Sequence, residues 1–327
     1  MTIRVYTSLD TGAPVLSGDL LTRLRQILMA CLVNGYGSKP AAGWSVGHQS
    51  ADGQGFSLGN GDGYINFVAS GSNIVQVYIM ETITDGTTAL AAGANRRSAG
   101  WSDGTSSTER QVFYHPYGVL STNPHWVVAA DEKTVSICYG GGITTSDASN
   151  AYYGTAHYFG RYINALGLTG PAEFVSLGGN YATGIAPFGG GLYGMALRNP
   201  FTGLIDQGAS PRYGASNATF AGGLVGAVGK LVPDRLLLFR GALTCYGTGL
   251  NGTTGARAYA GQLRGLLSEP ALCGSLLSSV LPLFGASDTW QSRVKPLALP
   301  GGKQIYPMFA NSQDQGFFLS ADPGDWS

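Results

Sequence analysis

Along 327 residues, one stretch near the start repeats apolar side chains at convincing helical spacing. Leu20, Leu21, Leu24, Ile27, Leu28, Cys31 and Leu32 fall three and four positions apart, which gathers them on one helical face, and Arg23, Arg25 and Gln26 fall largely on the other. Ser17 or Asp19 stands where a side chain can accept from the first free N–H groups, and Asn34-Gly35 supplies the left-handed residue that ends a helix. Most of the chain after Trp44 is apolar runs of a few residues cut short by glycine, proline or asparagine. Such punctuation favours short paired strands over a helical bundle, and the one apolar helix face must be covered by the chain's own sheet or by another chain.

Ile3 to Tyr6 alternate as a strand does, and Gly12-Ala13-Pro14 turns the chain into the helix. GDGYINFVASG, NIVQVYIMETIT, RQVFYHPYGVL and HWVVAADEKTVSICYG come next as period-two runs, which predict an antiparallel sheet covered by the helix. Ile74, Gln76, Tyr78 and Met80 alternate with Val75, Val77 and Ile79, so both faces of that run are largely apolar and it is expected to be central. Ala130-Asp131-Glu132-Lys133 joins two strand-like runs as a hairpin connection. From Gly140 to Gly191 the runs are rich in Tyr and Phe and are harder to place. Beyond, Leu192 to Leu197, Leu204-Ile205, Leu224 to Val232, Leu236 to Leu243, Lys303 to Phe309 and Gly316 to Leu319 again read as strands. Gly261 to Leu267 and Leu276 to Phe284 lack clean alternation, and the second is either a short helix ended by Pro282 or an extended segment. The expected class is mainly β, antiparallel sheets in sandwich-like domains with one N-terminal amphipathic α-helix packed on a sheet. The length suggests two domains, and the triplet Gly189-Gly190-Gly191 divides them into residues 1–190 and 191–327.

Composition narrows the function classes. Charged residues are 12% of the chain, about half the usual share, while the apolar fraction is 44%; a disordered chain would show the reverse. Residues 1–150 carry 8 Lys/Arg against 11 Asp/Glu and the remainder 11 against 8, so neither half offers the basic stripe that binds phosphate, and neither nucleic acid nor an anionic membrane is an expected partner. Cys31, Cys138, Cys245 and Cys273 are far apart and form no CxxC or CxH pair, which disfavours a zinc site. MTIRVYTSLD lacks the apolar core of a signal peptide, so synthesis in a cytoplasm is expected.

Candidate chemistry is sparse. His48, His115, His125 and His157 sit beside turn residues or aromatics, and no GxSxG elbow singles out a serine. Gly59-Asn60-Gly61-Asp62-Gly63 and Gly140-Gly141-Gly142 lack the Lys-Ser/Thr and the following helix that make a phosphate loop, so both read as turns. Asp52-Gly53-Gln54 with Asn60-Gly61-Asp62 has fragments of calcium-ligand spacing without the terminal bidentate acid. No catalytic residue, cofactor or metal is therefore assigned. Trp101, Tyr152, Tyr153, Tyr158, Phe159 and Tyr162 are expected as exposed aromatics for protein contact, or for stacking on sugar rings; Leu24 and Leu28 join them if the helix face docks on another chain.

The words GAPVLSG (Gly12 to Gly18) and MACLVNGYGSKPAAGW (Met29 to Trp44) resemble the N-terminal signature of a group of tailed-bacteriophage virion structural proteins, which open with a short strand, a GAPVL turn and a leucine-rich helix. YIMETITDGT (Tyr78 to Thr87), HWVVAADEKTVSICYG (His125 to Gly140) and RGLLSEPALC (Arg264 to Cys273) are looser matches. The resemblance implies a non-enzymatic virion component made in the host cytoplasm, at the head as a decoration protein, at the collar or neck, or on the tail. Its implied partners are other phage structural proteins, such as the major capsid, neck or tail proteins, and further copies of itself. The alternative from another class is a tail-associated receptor- or glycan-binding module, or a capsule depolymerase.

Overall fold

The Asp19 carboxylate accepts from the N–H of Thr22 at 2.8 Å and starts the helix, so of the two candidate caps Asp19 is the one used. The chain is α-helical over Leu20–Leu28 and continues as a π-helix over Met29–Asn34, ended by Gly35 at φ +75°. The last carbonyls do not need water: Ala42 donates to Cys31, and Gly43 and Trp44 both donate to Leu32 as the loop beyond the helix folds back. All seven apolar positions are buried. Arg23 departs from the expected polar face. It is buried as well, because its Nε donates to the Gly18 carbonyl at 3.0 Å beside the helix start.

The computed structural model describes residues 2–98, 112–114, 124–140, 154–178, 194–205, 212–216, 238–246, 257–268, 294–308 and 317–327. Their strands form four antiparallel sheets. An N-terminal sheet takes, in spatial order, Ser45–Gln49, Gly55–Gly59, Tyr64–Ala69, Ile74–Met80 and Val112–Tyr114, and the helix packs on its third and fourth strands. Thr82–Asp85 and Ala92–Ala94 make a separate two-stranded ribbon. A central sheet runs Arg4–Thr7, His125–Ala130, Thr134–Gly140, Gly154–Arg161, Phe174–Leu177 and Met195–Ala196. A C-terminal sheet runs Arg212–Ser216, Phe239–Tyr246, Arg257–Ser268, Phe317–Ser320, Gln304–Pro307 and Leu297–Ala298, with Ile163–Asn164 also paired to its long third strand.

The mainly β architecture with one helix on a sheet is thus the observed one. The single sheet expected before residue 140 is instead divided among three: Thr82–Asp85 leaves for the two-stranded ribbon, and Arg4–Thr7 pairs with His125–Ala130 and draws that hairpin into the central sheet, away from Val112–Tyr114. Gly189-Gly190-Gly191 lies outside the described residues, as do Leu224 to Val232 and Leu276 to Phe284. Strands on either side of residue 190 pair with each other: Val175 faces Ala196, and Ile163 faces Gln262.

The central sheet is buried on both faces. Val128, Ala130, Val135, Ile137, Phe159 and Phe174 enter a first core with the helix and with Phe56, Leu58, Phe67 and Val77 of the N-terminal sheet. Their immediate neighbours Val127, Ala129, Cys138, Tyr158 and Val175 point the other way, into a second core with Leu243, Leu263, Leu266, Phe317 and Leu319. The period-two direction of strand side chains makes this sharing possible. Aromatic contacts stitch the first core across its layers: Phe67 stacks on Phe56 at 4.8 Å and meets Phe159 of the central sheet at 6.0 Å, edge on.

Candidate functional site

The first strand, the turn after it and the loop after the helix fold into a clamp around one carboxylate. Asp10 Oδ2 accepts from the Thr7 N–H at 2.7 Å, from the Tyr36 hydroxyl at 2.7 Å and from Lys39 Nζ at 2.6 Å. Lys39 also donates to the Val5 carbonyl, and Tyr6 donates its hydroxyl to the Pro40 carbonyl, both at 2.7 Å. Gly37 sits at φ +54°, where a Cβ would lie 2.5 Å from the Thr11 carbonyl oxygen, so the loop closes only because this residue is glycine. Trp44 finishes the segment by donating Nε1 to the Asp131 carbonyl at 2.9 Å. Burial pushes the Asp10 carboxyl up, but the bonds from Lys39, Thr7 and Tyr36 together outweigh it and hold the group below the ordinary aspartate value. Burial pushes the Tyr36 hydroxyl upward.

That imbalance has a pH signature. A carboxyl depressed by folding stabilises the native state above the unfolded value, 3.8 for Asp, and the stabilisation disappears as pH falls through the folded value. Asp10→Asn is expected to lower stability by about 1.5–3 kcal/mol at neutral pH, the range for hydrogen bonds to a charged group. The gap between variant and parent should close as the pH drops below about 4. Denaturant titrations of both proteins at several pH values check this; a gap that is constant with pH would contradict it.

Further charged groups tie the layers together. Asp62, in the turn after Gly59, receives Arg161 Nε and Nη2 at 3.1 and 3.0 Å, with Lys133 Nζ at 3.4 Å. Glu173 lies 3.3 Å from Arg161, yet burial outweighs that attraction and raises its carboxyl, with the negative charge of Asp62 nearby adding to the rise. Glu81 holds Arg198 through both carboxylate oxygens at 2.8 and 3.0 Å, and those bonds depress it. Deepest is Asp131. Its Oδ1 accepts from the N–H groups of Lys133 and Thr134 at 2.8 Å, and its Oδ2 receives Arg264 Nη2 at 2.5 Å, with both side chains almost fully buried. Arg264 then spends Nη1 on Thr134 Oγ1 at 2.7 Å and Nε on the Trp326 carbonyl at 2.6 Å. Apart from Glu173, these carboxylates are held by several fixed donors each. That is what a structural tie requires, whereas a general acid or base must face a substrate.

The remaining candidates serve turns or packing. Asp52 accepts from the Gln54 N–H, and Asn60 Oδ1 from the N–H groups of Asp62 and Gly63, so the calcium-like fragments are loop-closing side chains. Among the described residues no three His, Cys, Asp or Glu side chains gather as a metal set would. His48 meets Ser57 Oγ at 2.9 Å and His125 meets Ser8 Oγ at 3.3 Å, and burial lowers the pKa of both rings. His157 stacks on Phe113 with centroids 3.5 Å apart. His115 lies outside the described residues.

Of the contact residues expected from sequence, Leu24 and Leu28 are fully buried against the chain's own sheets. Tyr158, Phe159 and Tyr162 are buried too, against the expectation of surface aromatics. The reason is the two-faced central sheet: Phe159 fills the first core while Tyr158 fills the second and donates its hydroxyl to the Arg161 carbonyl at 2.6 Å. Trp101, Tyr152 and Tyr153 lie outside the described residues. Surface apolar groups concentrate elsewhere, at a corner built from two loops and a strand. Asn164 Oδ1 accepts from the N–H groups of Leu166 and Leu168, and its Nδ2 donates to the Pro200 carbonyl at 2.8 Å, which binds the loop after Asn164 to the loop after Asn199. Asn199 Oδ1 accepts from Phe201 and Thr202 in the same manner. Ala165 donates to the carbonyl of Ala260, next to Tyr259. The two Asn positions carry the local signal, Asn-Ala-Leu-Gly-Leu and Asn-Pro-Phe-Thr-Gly-Leu, of turns that present apolar side chains.

Comparison of the chain with protein-family models, with curated proteins and with solved structures finds no match.

Proposed function

We propose that this chain is a non-enzymatic structural component of a tailed-phage virion, a capsid decoration, collar or tail-associated protein that binds other virion proteins. The observation that supports it is where the resembling residues go. Gly35, Tyr36, Gly37, Lys39 and Trp44 of the NGYGSKPAAGW run are consumed in terminating the helix, saturating Asp10 and reaching the central sheet. Residues spent in this way serve the scaffold, which is where a resemblance among structural proteins would lie. The charge-poor composition, 12% Asp, Glu, Lys and Arg, fits lasting contacts better than an enzyme's solvated cleft.

The test is to purify phage particles from cells producing the tagged chain and to measure it by mass spectrometry. It is expected in intact particles at a fixed ratio to the major capsid protein. Its absence from particles that retain their other structural proteins would overturn the reading, as would turnover of host capsular polysaccharide by the purified chain.

A further inference from the structure

The central sheet ends on Arg4–Thr7, a strand with one neighbour among the described residues. The opposite end of the sheet is carried on: beside Met195–Ala196, the Gly194 N–H donates to the Tyr213 carbonyl of the C-terminal sheet at 2.9 Å. An unpaired edge offers a row of N–H and C=O groups to any extended chain, and proteins blunt such edges with charge, above all with lysine. In an antiparallel strand these groups point to alternate sides. Ser8 donates inward to the Trp126 carbonyl, whereas Val5 and Thr7 meet partners from outside the sheet, so these two residues face outward. Lys39 Nζ takes the Val5 carbonyl at 2.7 Å, Asp10 Oδ2 takes the Thr7 N–H at 2.7 Å, and the Asp10 N–H takes the Thr7 carbonyl at 3.1 Å. Of the outward groups of these two residues, that leaves the Val5 N–H.

We propose that Lys39 and Asp10 guard this edge, and that the strand they hold off is the Arg4–Thr7 edge of a second copy of the chain. The ammonium sits on the carbonyl that an added strand's N–H would need. Admitting the strand would bury that charge and take away the carbonyl it holds. Lys39 is also fixed in place. Tyr36 and Lys39 exchange backbone hydrogen bonds at 3.0 and 2.8 Å, Gly37 turns between them at φ +54°, and the Tyr36 hydroxyl shares Asp10 with the ammonium. A lysine needed only to balance Asp10 would not have to reach the backbone of the edge; this one does both. The edge is complementary to its own copy across a two-fold axis. With Val5 opposite Thr7, Tyr6 falls opposite Tyr6 and Arg4 opposite Ser8, so no like charges meet. Every copy carries this edge, so the strand it meets wherever the chain accumulates is its own. The proposal does not rest on the virion reading, since the edge needs closing whether or not the chain enters a particle.

Lys39→Met/Asp10→Ala uncovers the Val5 carbonyl and the Thr7 N–H, and in sedimentation velocity it is expected to self-associate about tenfold more strongly than the parent. Lys39→Met alone should do so to a lesser degree, with its near-ultraviolet circular dichroism unchanged. Amide exchange over residues 2–9 should slow with rising protein concentration in both variants and not in the parent, which separates strand addition from other association. Lys39→Arg keeps a cation at the edge and should behave as the parent does. Val5→Pro, added to either variant, removes the remaining outward N–H and should return association to the parent's level. A folded Lys39→Met chain that associates no more than the parent would overturn the proposal. So would association that Val5→Pro leaves standing, exchange over residues 2–9 that ignores concentration, or association that appears only with loss of the near-ultraviolet spectrum.

Discussion

Arg264→Met is expected to cost about 3–5 kcal/mol of stability, the range for removing one partner of a buried ion pair. The loss comes from what remains behind. Asp131 would keep the N–H groups of Lys133 and Thr134 but lose the guanidinium that balances its charge in a site closed to water, and Thr134 Oγ1 and the Trp326 carbonyl would each lose a donor. Arg264→Lys should recover only part of this, because one ammonium on a flexible stem cannot answer Asp131, Thr134 and Trp326 from a planar fork. Asp131→Ala should cost a similar amount, and the double variant much less than the sum of the two. Denaturant midpoints of the four proteins measure the cycle. Additive single effects, or a loss under about 1 kcal/mol for Arg264→Met, would show that the pair does not act as a buried unit.

Trp326→Ala is expected to cost about 3–5 kcal/mol as well, by the different route of an unfilled cavity. The indole is almost wholly buried, donates Nε1 to the Ser320 carbonyl at 2.9 Å and lies on the face of Gly265. Gly265 has φ +66°, and a Cβ there would overlap the indole Cε2, so the ring occupies space that only glycine leaves open. Trp326→Phe should retain most of the packing and lose the hydrogen bond, at about 1–2 kcal/mol. Because the Trp326 carbonyl is also a partner of Arg264, Trp326→Ala and Arg264→Met are expected to be less than additive. Thermal melts and urea titrations check the order Ala worse than Phe; equal losses would place the stabilisation in the hydrogen bond alone.

The helix is legible in the sequence because its signal is local. Seven apolar residues at 3.6-residue spacing, Asp19 before them and Gly35 after them state one short-range solution, and the chain takes it. The 125–140 hairpin is legible for the same reason: Asp131 closes its own turn on Lys133 and Thr134. The burial of the 154–162 aromatics is not, because alternation reports a face only when the other face is wet. In Tyr158-Phe159 both neighbours are large and both are buried, in different cores, and nothing in the local pattern distinguishes that from a strand edge. The ion pairs are invisible for a simpler reason. Asp131 and Arg264 are 133 residues apart, and Arg23 looks like any helix-surface arginine until the Gly18 carbonyl is seen beside it.

The central sheet also restricts how a sequence of this kind could change length. An inserted or deleted residue within one of its strands would exchange every side chain beyond that point between the two cores, sending Phe159-sized groups into places shaped for alanine or valine and the reverse. A sheet with one wet face could absorb such a slip with a bulge at the surface; here a slip is read twice, once on each side. Within these strands divergence is therefore limited to substitution at fixed register, and growth or shortening of the chain is left to its connections.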